Sequence, residues 1–366
     1  GGGRLRVAVL FGGRSGEHSV SVMSGRSVLR FLDRERFTVM PIAITRAGAW
    51  LTPEESEAAL ARTESEQFGT IEAEGAGLLA RPELLALLRD VDIVFPILHG
   101  YNGEDGTIQG LLELADVPYV GAGVTASAVG MDKALQKALW MQAGLPVVDH
   151  LVLLRAEIGH DAEAAARRIE GTFGYPCFVK PSNGGSSVGV SKVRSREDLS
   201  DALHEAARWD RKVIVERFMN ARELDCAVLG NDDAEAAPLG EVIPAREFYD
   251  FTAKYDGAAG TQLIAPAPVS VAVTRRVQEI ALAAYRAVDC AGMARVDFFL
   301  TAAEEPVLNE INTIPGFTEM SMYPRLWELA GLSYPALLTR LIELGLERHA
   351  QTRGAHLQSG TQGRDR

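Results

Sequence analysis

Apolar residues in this chain form short unbroken runs near the start, and later they alternate with acids and amides; the two patterns predict different sheets. The run Leu5-Arg6-Val7-Ala8-Val9-Leu10-Phe11 reads as a buried strand, followed by a glycine-rich loop and a helix from about Ser19 to Leu32. Phe37 to Ile44 and Asp92 to Leu98 read as further strands, and Pro82 to Leu88 and Thr107 to Ala115 as helices. Such βαβ alternation predicts an open parallel sheet, in which ligands gather at the carboxyl ends of the strands. Two polar loops fall there, Gly12 to His18 and His99 to Gly106, although Glu104 and Asp105 are equally at home as helix caps.

A further helix is expected from about Ser127 to Ala143, carrying Lys133 and stopped by Gly144-Leu145-Pro146. A smaller α/β lobe then runs from about Val147 to Val215 and closes with the strand Lys212 to Glu216. From Arg217 onward strands alternate with a long loop, Phe248 to Gly260, before helices near Tyr323–Leu329 and Pro335–Leu346. Gln351 to Arg366 is polar and aperiodic and predicts a disordered tail. The expected division is an N-terminal α/β domain over 1–125, a central lobe over 126–215, a C-terminal lobe over 216–350 and the tail over 351–366.

Length supports this division, since 366 residues exceed what one core usually holds together. An apolar content of 47% with 23% charged residues is that of a globular chain. No apolar run approaches a membrane span and no basic–apolar leader opens the chain, so neither a membrane partner nor a location outside the cytoplasm is expected. The net charge of −12, unrelieved by any long Lys/Arg run, argues against a nucleic-acid partner. Cys177, Cys226 and Cys290 stand singly in apolar surroundings and read as core residues.

Two distant segments carry the chemistry. The first, Val179 to Val190, is a strand, a glycine-rich turn and another strand, with Lys180, Gly184-Gly185 and Ser186-Ser187. Small residues let backbone N–H groups close over phosphate oxygens, and serine hydroxyls and a lysine add donors and charge. Taken alone, such a turn is more often only a turn. The second pairs Arg295-Val296-Asp297-Phe298-Phe299 with Leu308-Asn309-Glu310-Ile311-Asn312. Strand residues two apart share a face, so Arg295 aligns with Asp297 and Glu310 with Asn312. Hard oxygen ligands without Cys or His suit Mg²⁺ bridging nucleotide phosphates. No G-x-x-x-x-G-K-[ST] loop, G-x-G-x-x-G turn, nucleophile elbow or H-E-x-x-H helix is present.

Six segments in order make the chain resemble the D-alanine–D-alanine ligases of the ATP-grasp superfamily, from Val7 to about Leu346. They are Leu10 to His18, His99 to Gly106, Met131-Asp132-Lys133, Lys180 to Gly189, Phe248 to Tyr255, and Asn309 to Thr318. The resemblance implies an α/β fold with an N-terminal open parallel sheet, the pre-ATP-grasp domain, followed by a two-lobed ATP-grasp fold. It implies ATP and two Mg²⁺ ions, with Mn²⁺ as a substitute, on Asp297, Glu310 and Asn312. Lys133, Lys180, Ser186, Ser187 and Lys254 would hold phosphates, the Glu216-Arg217-Phe218-Met219 connection the adenine, and Glu223 the ribose. Glu17, with His99 nearby, would hold the first D-alanine, and Ser321, Lys254 and Met322 the second. Arg295 and the Gly316 N–H would form an oxyanion hole, and Glu17, Ser186 and Tyr255 a hydrogen-bonded bridge over the closed site. A homodimer is implied by family alone. Ile314 and Glu319 depart from the usual pattern and bear on the second-substrate pocket. D-alanine–D-lactate and D-alanine–D-serine ligases, other ATP-grasp carboxylate–amine ligases and a catalytically silent nucleotide-binding regulator are the competing readings.

Overall fold

The computed structural model describes residues 3–63, 69–185, 187–244 and 261–361, with side chains as far as 353. The first apolar run forms β1 (Leu5–Gly12), the middle of a three-stranded parallel sheet between β2 (Phe37–Ile44) and β3 (Ile93–Pro96). Burial on both faces accounts for the unbroken apolar sequence from Val7 to Phe11. Val7, Val9 and Phe11 enter one core, and Ala8 and Leu10 enter another. Gly12 and Gly13 end the strand at φ of +92° and +95°, a region that disfavours side chains. At Gly12 a Cβ would also collide with the Ile44 carbonyl.

The second sheet is antiparallel and four-stranded, in the order β4, β7, β5, β6. It uses β4 (His150–Leu154), β5 (Cys177–Pro181), β6 (Ser191–Val193) and β7 (Lys212–Arg217). The third is antiparallel and five-stranded, in the order β10, β9, β8, β11, β12. Its strands are β8 (Arg222–Gly230), β9 (Glu235–Ile243), β10 (Gln262–Ile264), β11 (Gly292–Leu300) and β12 (Pro306–Asn312).

The cores show which sheets are packed as one unit. One face of β1 shares a continuous core with Ala227, Leu229 and Met293 of the five-stranded sheet and with Leu337, Leu338 and Leu341 of the last helix. The four-stranded sheet has its own core, in which Val179, Val213 and Val215 pack against Ile169, Leu199 and Leu203. That lobe is hydrophobically self-contained.

Two expectations are corrected. The helix read from Ser127 to Ala143 is two helices, Val124–Met131 and Lys133–Gln142, broken at Asp132. The Asp132 carboxylate accepts from the N–H groups of Ala134 and Leu135 at 3.1 and 3.2 Å, so this acid starts a new helix rather than continuing the old one. The disordered tail expected from Gln351 is instead helical as far as Thr361, continuing from Tyr334. It continues a helix already packed on the core, and Arg348 over the Tyr119 ring and Arg353 on Asp116 tie that helix to the first domain.

The separate core generates a prediction. Leu203→Ala should destabilise by about 2–5 kcal/mol, the usual range for emptying a buried leucine site. Amide exchange should accelerate mainly in residues 150–217, whereas Leu341→Ala should accelerate exchange in both other sheets. Equal acceleration everywhere for Leu203→Ala would show that the lobe is not an independent unit.

Candidate functional site

One face of the five-stranded sheet is apolar and the other is not. Leu224, Cys226, Ala294, Val296, Phe298 and Ile311 point into a core packed on the helix Val271–Ala287. The alternate positions Glu223 and Asp225 on β8, Arg295 and Asp297 on β11, and Glu310 and Asn312 on β12 line a cleft of about 550 Å³. Register brings them together: Asp297 stands opposite both Asp225 and Glu310, and Arg295 opposite Asn312. The Arg295 guanidinium grips both oxygens of Asp297 at 2.7 Å and lies 3.4 Å from Asp225. The Asn312 amide donates to Asp297 at 3.0 Å. A bulge leaves Asn309 unpaired just before Glu310.

Cations reach this face from across the cleft. Lys133, at the start of its helix, lies 3.4 Å from Glu310 and donates to the Gly184 carbonyl at 2.8 Å. Lys180 on β5 donates to Glu216 on β7 at 2.6 Å, and the fully buried Lys137 approaches the other Glu216 oxygen at 3.2 Å. Burial alone would raise the Glu216 pKa, but the two ammonium groups outweigh it and hold the carboxyl down to about 2. Burial opposes the charge of Lys137 and lowers its pKa, with Glu216 acting against that shift. The base of the glycine-rich turn is anchored by Asp132, which accepts from Ser182 Oγ at 2.6 Å and pairs with Lys212. Asp210 accepts from the Asn183 N–H at 2.8 Å.

The loops at the ends of β1 and β3 close the third side. Glu17 sits at the start of the helix His18–Phe31, its carboxylate against the Cα positions of Gly100 and Gly185, where a Cβ would intrude. His99 donates from Nδ1 to the Ile314 carbonyl at 2.9 Å, which leaves Nε2 to accept from Ser24 Oγ at 3.0 Å. Both ring nitrogens are therefore held by protein groups, and burial lowers the imidazole pKa. Asp105 takes the capping role, accepting from the Asn102 and Thr107 N–H groups. Glu104 turns inward instead. Its Oε1 accepts from the Gly100 N–H at 3.1 Å, and its Oε2 is buried with no hydrogen-bond partner among the described residues. Burial first, and then the Glu17 charge, push its pKa up to about 8.

Glu17, His99, Lys133, Lys180, Ser187, Glu216, Phe218, Glu223, Arg295, Asp297, Glu310, Asn312, Gly316, Ser321 and Met322 all line this one cleft. Ser186, Lys254 and Tyr255 lie outside the described residues. The Phe218 N–H is already bonded to the Pro176 carbonyl at 3.3 Å, so an adenine held at this connection must use a neighbouring group. Ser321 opens the helix Met322–Leu329, where a carboxylate is favoured. Sequence reasoning missed Asp225, Lys137, Asp132 as a lid anchor, and the inward turn of Glu104. Lys137 was signalled by its spacing, four residues after Lys133 and thus on the same helical face. Among the described residues no three His, Cys, Asp or Glu side chains gather at metal-ligand spacing. Two carboxylates and an amide, with phosphates and water to complete the shell, still suit Mg²⁺.

Two family models match the chain, "D-ala D-ala ligase N-terminus" over residues 6–122 and "D-ala D-ala ligase C-terminus" over residues 139–343. A D-alanine–D-alanine ligase of Ruminiclostridium cellulolyticum is 45% identical, covering 96% of this chain and 97% of that protein. One of Heliobacterium modesticaldum is 48% identical over 94% and 95%. Among solved structures, the D-alanine–D-alanine ligase of Coxiella burnetii aligns with a TM-score of 0.82 at 34% identity, covering 99% of both chains. The VanG D-Ala:D-Ser ligase of Enterococcus faecalis aligns with a TM-score of 0.79 at 36% identity, covering 94% of this chain and 100% of that one.

The inward Glu104 sets a pH dependence. Its folded-state pKa of about 8 exceeds the ordinary 4.5, so between those values the folded chain binds more protons than the unfolded chain. Its contribution to stability therefore falls as pH rises through that window. Glu104→Gln cannot ionise and should gain stability relative to the parent on going from pH 5 to pH 8, read from denaturant midpoints. The same difference at both pH values would show that Glu104 ionises normally.

Proposed function

This chain belongs to the D-alanine–D-alanine ligase family, and from that premise we propose how its own residues carry out the family's reaction. The activity is ATP-dependent ligation of two D-alanines, a carbon–nitrogen bond formation that supplies a peptidoglycan precursor. The carboxylate of the first D-alanine attacks the γ-phosphorus and releases ADP. The amine of the second then attacks the acyl phosphate carbonyl and releases phosphate. Such transfers need charge neutralisation and alignment more than a protein nucleophile.

The observation that carries the assignment of roles is the convergence of the oxygen-rich sheet face with Lys133 and Lys180 in one cleft. Lys133 and Lys180 neutralise phosphate oxygens, together with Ser187 and, outside the described residues, Ser186 and Lys254. Asp297, Glu310 and Asn312 would hold Mg²⁺, or Mn²⁺ in its stead. Bound there, the metal supplies Lewis-acid charge to the phosphates. Glu17 accepts the first ammonium group, with the His99 ring bounding that pocket. Arg295 and the Gly316 N–H stabilise the oxyanion of the tetrahedral intermediate. The second carboxylate sits on Ser321 at the start of its helix, with Met322 against the methyl group. Tyr255 and Ser186 would complete the bridge with Glu17. Glu223 takes the ribose, and the Glu216–Phe218 connection borders the adenine.

In this reading residues 1–125 hold the first amino acid, 126–215 the lid and 216–350 the metal and second amino acid. Family membership supports a cytoplasmic homodimer. Among the described residues no helix is long and apolar enough to cross a membrane.

The test is phosphate release with D-alanine, D-lactate and D-serine in turn, with product masses determined. D-alanyl-D-alanine should dominate; a D-alanyl-D-serine or depsipeptide product would reassign the second pocket. Glu310→Gln should lower turnover by at least about a hundredfold, the scale expected when a metal ligand or its support is lost, with an unchanged circular dichroism spectrum. Parent-like turnover would remove Glu310 from the metal site.

A further inference from the structure

Lys137 has no part in the reaction as derived, yet its side chain is completely inaccessible to solvent. A lysine so placed needs partners, and packing alone would be served as well or better by an apolar side chain. Its ammonium has two. It donates to the Asn309 carbonyl at 2.5 Å and lies 3.2 Å from Glu216 Oε1. The other Glu216 oxygen takes the Lys180 ammonium at 2.6 Å. Asn309 is the bulged residue of β12, directly before Glu310. One buried ammonium thus touches the four-stranded lobe through β7 and the five-stranded sheet through β12.

We propose that Lys137 is a positioning residue: through Glu216 it sets Lys180, through the Asn309 bulge it sets Glu310, and so it fixes the spacing between the phosphate-binding cation and the metal-binding face. The inference rests on the cleft being the nucleotide site. Direct contact with nucleotide is not part of the role, since Lys137 is absent from the cleft lining. Its effect passes through a carboxylate and a carbonyl that are already hydrogen-bonded. Loss of the ammonium leaves Glu216 with a single cation and frees the bulge that aims Glu310.

The test uses the full chain with Lys137→Met, which keeps the length and removes charge and donor, and Lys137→Gln, which keeps a donor for the Asn309 carbonyl. MgADP affinity is measured by titration calorimetry, and KM for ATP and for D-alanine by phosphate release. Lys137→Met should bind MgADP about tenfold more weakly and raise the ATP KM by a similar factor, with the D-alanine KM within about twofold of the parent. Lys137→Gln should recover part of the loss. A merely structural lysine would lower the melting temperature and leave KM values of the folded fraction unchanged. Parent-like MgADP affinity in either folded variant overturns the proposal, including the case in which only Lys137→Gln folds. Failure of the unaltered chain to bind MgADP would instead overturn the nucleotide reading of the cleft, which keeps the two failures apart.

Discussion

Charge compensation across a desolvated cleft is the constraint on which the site depends. Glu223, Asp225, Asp297 and Glu310 stand on one face of three adjacent strands, with Arg295 as the cation among them. Like charges at cross-strand distance repel, and burial strengthens the repulsion. Arg295 offsets it within the sheet by binding Asp297 with both arms of its guanidinium. Lys133 offsets it from outside. Among the described residues the four carboxylates outnumber Arg295 and Lys133 and leave this face net negative.

The same compensation joins the lobes. Among the described residues the four-stranded lobe has a core separate from those of the other sheets. Among the described residues its links include the polar ones of Lys137 to Glu216, Lys133 to the Gly184 carbonyl, and Asp132 to Lys212. Of these, the fully buried Lys137–Glu216 pair is costly to break and so fixes the junction, while the more exposed contacts are exchanged for water at smaller net cost. The lobe is therefore positioned by charge pairing rather than by a hydrophobic core shared with its neighbours.

Much of this was legible in the sequence, because period and spacing are local properties. The unbroken run Val7–Phe11 and the alternation in Arg295–Phe299 gave their strands and faces directly, and glycines marked the turns. The described site residues found from motifs all line one cleft. What escaped was set by partners far along the chain. Asp132 is an ordinary acid within a helical pattern until Ser182, Asn183 and Lys212 arrive beside it. Glu104 and Asp105 are interchangeable as cap candidates in sequence, and only the seal around Glu104 Oε2 separates them. Only the continuation of the terminal helix from Gln351 to Thr361 was missed, and for a different reason: the sequence there is polar and aperiodic, so no apolar period announces it.

The bulge at Asn309 shows how these levels combine. In a regular ladder Leu308 and Glu310 would share a face, and an apolar residue would occupy the cleft or an acid the core. One extra residue lets Leu308 remain buried while Glu310 turns to the cleft beside Asp297. The bulge also exposes a carbonyl on the strand's inner side, and Lys137 takes it. An irregularity that local pattern would count as a defect is therefore what allows one strand to serve the core, the cleft and the lobe junction together.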